Sequence, residues 1–366
     1  MGNVDLAQRI SQYRELAGLS QADLASKVGM DRTALAKIEN GTRKVSALEL
    51  SDLAQALRVR LDWFFSPPPE AIAAYRESAP NQTRQSVDGW IERLSREVSF
   101  VRGLRGKDWP SLHRESALAR GQGFDPEDAA RRVRARVGNT DDPIRSMSEL
   151  AEQLGVLMFS IDLGVDSPDG ASAPAGETGI AIVNGKRDVG RRRLTAAHEL
   201  GHLLSGDSYE VDWRLDGAEH GWEADLDKFG RALLLPANAL KRVWARSDDE
   251  ELDERAEAIR TASHWQVDMS TLARRLHLLG LVDNAGADRI RRCRPVRADF
   301  VELDLVKRTD LDAPSLPAAY EKAVFQLYRG DEISVSRATD LLLDSYSEAD
   351  LPPLPALPDS AIWSLV

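Results

Sequence analysis

The chain is poor in cysteine and histidine and has no long apolar run. Among 366 residues there is one cysteine, Cys293, and there are six histidines. No disulfide can therefore form within the chain and no multi-cysteine metal cluster can be built, which suits a reducing cytoplasm. No run of about eighteen apolar residues occurs, so membrane spanning is not expected. The opening MGNVDLAQRI lacks the apolar core of a secretion signal. Positive charge is also scarce. Lys and Arg number 48 against 59 Asp and Glu, a net charge of −11. That excludes a bulk nucleic-acid coater and confines any DNA contact to a local surface. What is present is globular in kind: 42% hydrophobic and 29% charged residues argue against general disorder. The length calls for two or three domains, and no internal repeat occurs.

The first 66 residues read as short helices with tight turns. Leu6, Ile10, Tyr13 and Leu16 recur at helical spacing, and Gly18 stops that helix. Ser20 is placed as the N-cap of a second helix carrying Leu24, Ala25 and Val28 on one face. Asp31 can cap a third, RTALAKIEN. Ser46 and Glu49 form a capping-box pattern for a fourth. SPPPE, from Ser66 to Glu70, breaks the pattern and reads as a domain boundary.

Residues 67–140 are expected to form a helical linker region, arginine-rich with interleaved acids, and therefore solvated helix faces. Pro126 behind Asp125 looks like a first-turn proline after its cap. VLMFSID and GIAIVNG read as strands, and the small-residue stretch between them, Ser167–Gly179, as a loop. RRRLTAAHELGHLLSG and WEADLDKFGRALLLP read as helices. An acidic helix start at 248–254 and an apolar-faced helix at 268–282 follow. Two more helices are expected over 314–349, and an extended proline-rich tail at 352–358.

The helix–turn–helix is the specific feature of the first segment. Ala25 is small and Gly29 lies at the turn, so the third helix can cross the second closely. In that geometry the third helix lies in the major groove with Arg32, Thr33 and Lys37 toward base edges, Arg32 being suited to guanine. Gln21, Asn40, Thr42, Arg43 and Lys44 are placed to hold phosphates. Residues 1–66 carry nine Lys and Arg against eight Asp and Glu. The stretch SQADLASKVGMDRTALAKIENGTRKVSALELSDLAQAL resembles the XRE-type, phage repressor-like helix–turn–helix. The resemblance implies operator binding, usually as a homodimer on a palindromic site. The alternative is a helical bundle that has lost DNA binding.

The second constellation is AAHELGHLL. His198 and His202 are four apart and share one helix face, so they can bind one Zn²⁺. Glu199 lies beside them and can take a proton from an attacking water. The surrounding Ala196, Ala197, Leu200, Gly201, Leu203 and Leu204 make the helix small and apolar, as expected of a buried one. Catalytic zinc usually takes three protein ligands, and the next helix offers Glu223 and Asp227 on one face. Glu223 is the expected third ligand, Asp227 the acceptor for a ligand histidine N–H, and Asp225 the fallback ligand. Tyr209, His220 and His264 are candidates to steady an oxyanion, although structural or surface roles are as open to them. Arg191–Arg193 could bind an acidic substrate strand or form a solvated helix start. His113 and His277 have no assigned role.

Residues 143–282 resemble the ImmA/IrrE family of metallopeptidases, through GIAIVNG, RRRLTAAHELGHLL and EADLDKFGRALLLP. Asp225 and Asp227 stand where the family has Glu and Asn, while Glu223 is retained at the ligand position. The family implies zinc-dependent cleavage of a repressor-type protein in stress response or in mobile elements. The expected fold is mainly α with a small β-sheet. A lambda-repressor-like helix–turn–helix domain (1–66) and the helical linker (67–140) precede an α+β zincin-like metallopeptidase domain (141–290). A helical C-terminal region (291–366) completes the chain. The rival is a non-catalytic repressor or antitoxin whose second domain only binds a partner.

Overall fold

The computed structural model describes residues 3–69, 85–106, 109–113, 124–207, 210–212, 221–244 and 253–354. The head comprises α1 (Asn3–Leu16), α2 (Gln21–Lys27), α3 (Arg32–Glu39), α4 (Ala47–Leu57) and a 3₁₀ turn at Leu61–Phe64. Ser20 with Asp23, and Ser46 with Glu49, each form a capping box that satisfies helix-end amides. Asp31 sits at the N-cap of α3 but its side chain makes no cap bond. Ile10, Leu24, Leu35, Leu53 and Phe64 are fully buried and form a core of their own.

The stretch expected as a solvated linker behaves otherwise. Within it α5 (Gln85–Arg105) places Val87, Ile91, Leu94, Val98 and Val101 in one fully buried stripe. The acids beside the stripe are buried too, and they are bonded. Glu92 accepts from the Tyr13 hydroxyl at 2.7 Å, which fixes the head to α5. Glu97 receives the guanidinium of Arg337. The alternation of charges therefore reflects ion pairs between elements rather than a face in water. In α6 (Pro126–Arg136), capped by Asp125 as expected, Arg134 is buried. It bonds the carbonyls of Leu233 and Asp142, and burial pushes its guanidinium down to about 10.

The sheet follows α7 (Met147–Gln153). It holds β1 (Val156–Ile161), β2 (Gly170–Ala175) and β3 (Thr178–Asn184); after α8 (Val189–Ser205) comes the short β4 (Glu210–Asp212). The order is β1-β3-β2-β4, with β1 and β3 parallel and the other pairs antiparallel. The 167–179 segment is thus not a loop throughout. GASAPA has weak strand preference, but its small side chains fit a close sheet–helix contact. Pro174 is tolerated because the β2–β4 pairing ends at Ser172.

Both faces of the sheet are covered. Val156, Met158, Ala181 and Val183 point into the core that contains α8. Leu157, Phe159, Ile180 and Ile182 point the other way, onto α5. The remaining helices are α9 (Trp222–Leu234), α10 (Ala237–Trp244), α11 (Glu254–Trp265), α12 (Met269–Leu278), α13 (Asn284–Arg292), α14 (Arg297–Glu302), α15 (Ala318–Arg329) and α16 (Val335–Leu341). The last two meet the expectation for 314–349 and pack Tyr320, Val324, Leu327 and Leu341 with α5 on the second face. Ser315 also bridges to Ser160 at the outer side of β1. Parts of 67–140 and 291–366 therefore share one packed body with the sheet. Of the acidic start at 248–254 and the tail at 352–358, positions 248–252 and 355–358 lie outside the described residues.

Candidate metal centre and nucleic-acid interface

Helix α8 is buried over nearly its whole length, with its polar groups gathered on two sides. At its start the three arginines are neither a solvated face nor a free anion surface. Arg193 is fully buried on Asp310 and the carbonyl of Ile144, and Arg192 pairs with Asp312. Arg191 bonds Asp169 at 2.6 Å. These pairs tie α8 to segments far away in sequence, which no local pattern reveals.

Further along, the helix presents His198, Glu199 and His202, all buried. The two Nε2 atoms are 3.1 Å apart. Glu223 Oε2, from the first turn of α9, lies 3.2 Å from His198 Nε2 and 3.4 Å from His202 Nε2. The helices approach this closely because residue 201 is glycine. A Cβ there would lie 2.9 Å from Leu226 Cδ2 and 3.2 Å from Phe229 Cδ1 of α9. Glu223 is half exposed, so the cluster has an open side.

Each ring nitrogen facing away from the cluster has a carboxylate beside it. His202 Nδ1 lies 2.9 Å from Asp207 Oδ2, and His198 Nδ1 lies 3.2 Å from Asp227 Oδ1. Asp207 also accepts from Trp222 Nε1 at 2.7 Å, and Asp227 from Arg231 at 3.2 Å. Burial opposes a charged imidazole at His202, but the bonds to Asp207 and Glu223 outweigh it and push its pKa up to about 9. The same bonds from His198 and His202 hold Glu223 far below the usual carboxylate range. Burial would raise Asp207, yet its bonds from His202 and Trp222 leave it lowered.

The donor set fits a first-row metal. Two imidazole nitrogens and one carboxylate oxygen form a near-regular triangle of 3.1, 3.2 and 3.4 Å. Zn–N bonds of about 2.0–2.1 Å in a tetrahedron give edges of about 3.3 Å. Glu199 abuts the first residue of β2: a Cβ at Gly170 would lie 2.9 Å from its Oε1 and 2.5 Å from Thr195 Cγ2. Residue 170 must therefore be small for the carboxylate to occupy its place.

The structure thus brings together His198, Glu199, His202, Glu223 and Asp227. Asp225, the fallback ligand, is turned away and pairs with Lys228 at 2.9 Å. His264 is exposed on α11 and packs edge-on against Trp265, apart from the cluster. Tyr209 and His220 lie outside the described residues. His113 and His277 are exposed. Asp207 was missed by sequence reasoning. Its only local signal is its place five residues after His202, just past the glycine that ends the helix.

In the head, Arg32, Thr33, Lys37, Asn40, Thr42 and Lys44 are placed on and just after α3, with Arg32, Thr33 and Lys44 among its exposed residues. Gln21 is less available, since its amide donates to Glu39 at 2.8 Å, and Glu39 also takes Arg14 at 2.7 Å. Arg43 donates to Glu49 at 2.7 Å. These bonds fix the turn between α2 and α3 and the entry to α4.

Comparison with known proteins matches two stretches. Residues 10–64 fit the helix-turn-helix family model, and residues 151–277 fit the IrrE N-terminal-like domain. An uncharacterized HTH-type transcriptional regulator of Sinorhizobium fredii is 31% identical over 80 residues, 22% of this chain and 56% of the relative. An uncharacterized transcriptional regulator in the ATPase CF(0) region of Rhodospirillum rubrum is 39% identical over 61 residues, 17% of this chain and 56% of the relative. The chain thus spans about half the length of these curated relatives. Among the described residues no helix is long and apolar enough to cross a membrane. The chain thus joins a segment that matches the helix-turn-helix model to one that matches the IrrE N-terminal-like model.

Proposed function

We propose that the chain is a DNA-binding transcriptional regulator of the cytoplasm whose second domain is a zinc-dependent endopeptidase acting on a repressor-type protein or on the chain itself. The observation that carries this reading is the buried Glu199 carboxylate beside two histidines, each flanked by a carboxylate, and Glu223. A module that only bound metal would have no use for a buried acid there, and burying one costs free energy unless it serves.

In this reading His198, His202 and Glu223 hold Zn²⁺. When bound, the ion would polarise a peptide carbonyl and supply the acidity that activates water. Glu199 takes the proton of the attacking water and passes it to the leaving amine. Asp207 and Asp227 hold the Nδ1 protons of the two histidines, so that both Nε2 lone pairs face the ion. In the head, Arg32, Thr33 and Lys37 read bases while Asn40, Thr42 and Lys44 hold phosphates. Gln21 and Arg43, engaged by Glu39 and Glu49, set the angle of α3. Two copies would engage a palindromic operator.

The test is cleavage of co-encoded repressor-type proteins by wild type and by Glu199→Gln, with bound zinc measured in both. We expect equal zinc and a rate lower by roughly 10²–10⁴-fold in the variant, the usual contribution of a general base. Equal cleavage by both would sink the peptidase reading. Full zinc with no cleavage of any candidate would favour the non-catalytic repressor or antitoxin.

A further inference from the structure

The stretch 289–297, RIRRCRPVR, carries five arginines in nine residues and no acid, within a chain of net charge −11. It comprises the last turn of α13 and the extended segment leading into α14. Cations at a helix C-terminus complement its dipole, but that benefit ends within the last turn. It accounts for Arg289, Arg291 and Arg292 and leaves Arg294 and Arg297 unexplained.

Ion pairs do not use up the strip. Arg289 is held by Glu254 at 2.8 Å. The pair of Arg291 with Asp288 is exposed on both sides, and such pairs contribute little. Arg292 and Arg294 bond only backbone carbonyls, and Arg297 makes no ion pair among the described residues. Arg291, Arg292, Arg294 and Arg297 are all exposed.

Near its third helix the head offers few cations outside an ion pair. Arg9 and Arg14 are engaged by the carbonyl of Ser66 and by Glu39, while Arg43 and Arg60 lie in part-exposed pairs with Glu49 and Asp62. Around α3 only Arg32, Lys37 and Lys44 remain outside an ion pair among the described residues. Phosphate neutralisation supplies most of non-specific DNA affinity and much of specific affinity. The exposed Arg291, Arg292, Arg294 and Arg297 would add to the few cations near α3.

We propose that this arginine strip is a second, sequence-independent contact for the phosphate backbone of duplex DNA. The proposal rests on the reading of the chain as a DNA-binding regulator. It adds that the second domain grips the same ligand as the head.

The experiment uses the full chain with two probes, a random-sequence duplex and a duplex selected by the wild type from a random pool. Binding is followed across a salt series for wild type, for Arg291→Gln, Arg292→Gln, Arg294→Gln and Arg297→Gln combined, for the same four changed to Lys, and for Arg32→Ala. Thermal melting checks the fold of each. The combined Gln variant should bind the random duplex at least tenfold more weakly at low salt. Its slope of log K against log salt should fall by about 0.9 for each phosphate that is no longer neutralised. The Lys variant should recover most of that slope, since charge rather than shape is needed. Arg32→Ala should lose preference for the selected duplex and keep the strip's share of the slope.

An unchanged slope in the combined Gln variant overturns the strip, and the head reading survives if Arg32→Ala still loses preference. If no sequence is selected but the random duplex depends on the strip, the head reading fails and the strip stands. An unchanged duplex slope together with lost retention of a polyglutamate peptide would make the strip a protein-docking surface instead. No duplex bound at any salt overturns both.

Discussion

The head and the metal domain place charge in opposite ways. In the head, Arg32, Lys37 and Lys44 stand at the surface above a small apolar core, and Glu39, whose side chain is buried, is paired with Arg14. Along α8 of the metal domain, Arg193, His198, Glu199 and His202 are all within 2% of full burial. Surface groups can wait for a ligand at little cost, whereas buried ones must be held by partners. Hence the head's candidate DNA-contact residues follow one another within a few positions of sequence. Those of the metal domain draw support from positions as distant as Asp169, Asp227 and Asp310. Local geometry suffices for the first and not for the second.

The contrast can be broken most strongly at Gly201. Gly201→Val would force α8 and α9 apart, costing roughly 1–3 kcal/mol by overpacking. Zinc uptake should be lost with it, since Glu223 would leave the histidines; retained stoichiometric zinc with an unchanged melting temperature would refute the account of that glycine. Asp207→Asn is the narrower change. It keeps shape and removes the charge behind His202, so metal affinity should fall about 10–100-fold, read by competition with a chelator.

On the other side, Arg32→Ala should cost about 1–3 kcal/mol in binding a selected operator and leave bound zinc as in the wild type. A change in zinc would mean that the Tyr13–Glu92 contact couples the two regions more tightly than separate cores suggest.

A further effect is one of pH. In the metal-free protein His202 is raised from 6.5 to about 9. The folded state therefore holds a proton that the unfolded state releases earlier. The stabilisation is fully present below pH 6.5 and is lost as pH rises through about 9. Melting of the metal-free chain should accordingly fall between those values, and His202→Gln should flatten the fall. Zinc binding has the opposite sign, because the imidazole must lose its proton, so affinity should rise across the same window.

Much of this was legible in the sequence. The capping serines Ser20 and Ser46, the i, i+4 pair His198 and His202, and the apolar periodicity of α8 and α9 are local signals with local causes. Other features were hidden. β2 looked like a loop because GASAPA has neither alternation nor branched residues, and β3 and β4 pair with it regardless. The acids of α5 looked solvated because a charge read alone carries no sign of its partner. Glu92 meets Tyr13, and Glu97 meets Arg337, 240 positions away. Asp207 gave only a weak positional signal, because its role depends on where α8 ends and on Trp222 of the following helix.

The sequence by itself determined the helix–turn–helix and the placing of its third helix at the surface, because capping, turn glycines and amphipathic spacing act within a few residues. It also determined that two histidines would share one face, since the helix repeat requires it. What turns Glu223, the expected ligand, and not Asp225 toward those histidines is visible only in the tertiary structure. Gly201 sets the approach of α9, and Lys228 holds Asp225 away. The tertiary structure alone likewise buried the arginines of α8 on Asp310 and Asp312. Burial and charge pairing act between segments that the chain order keeps apart.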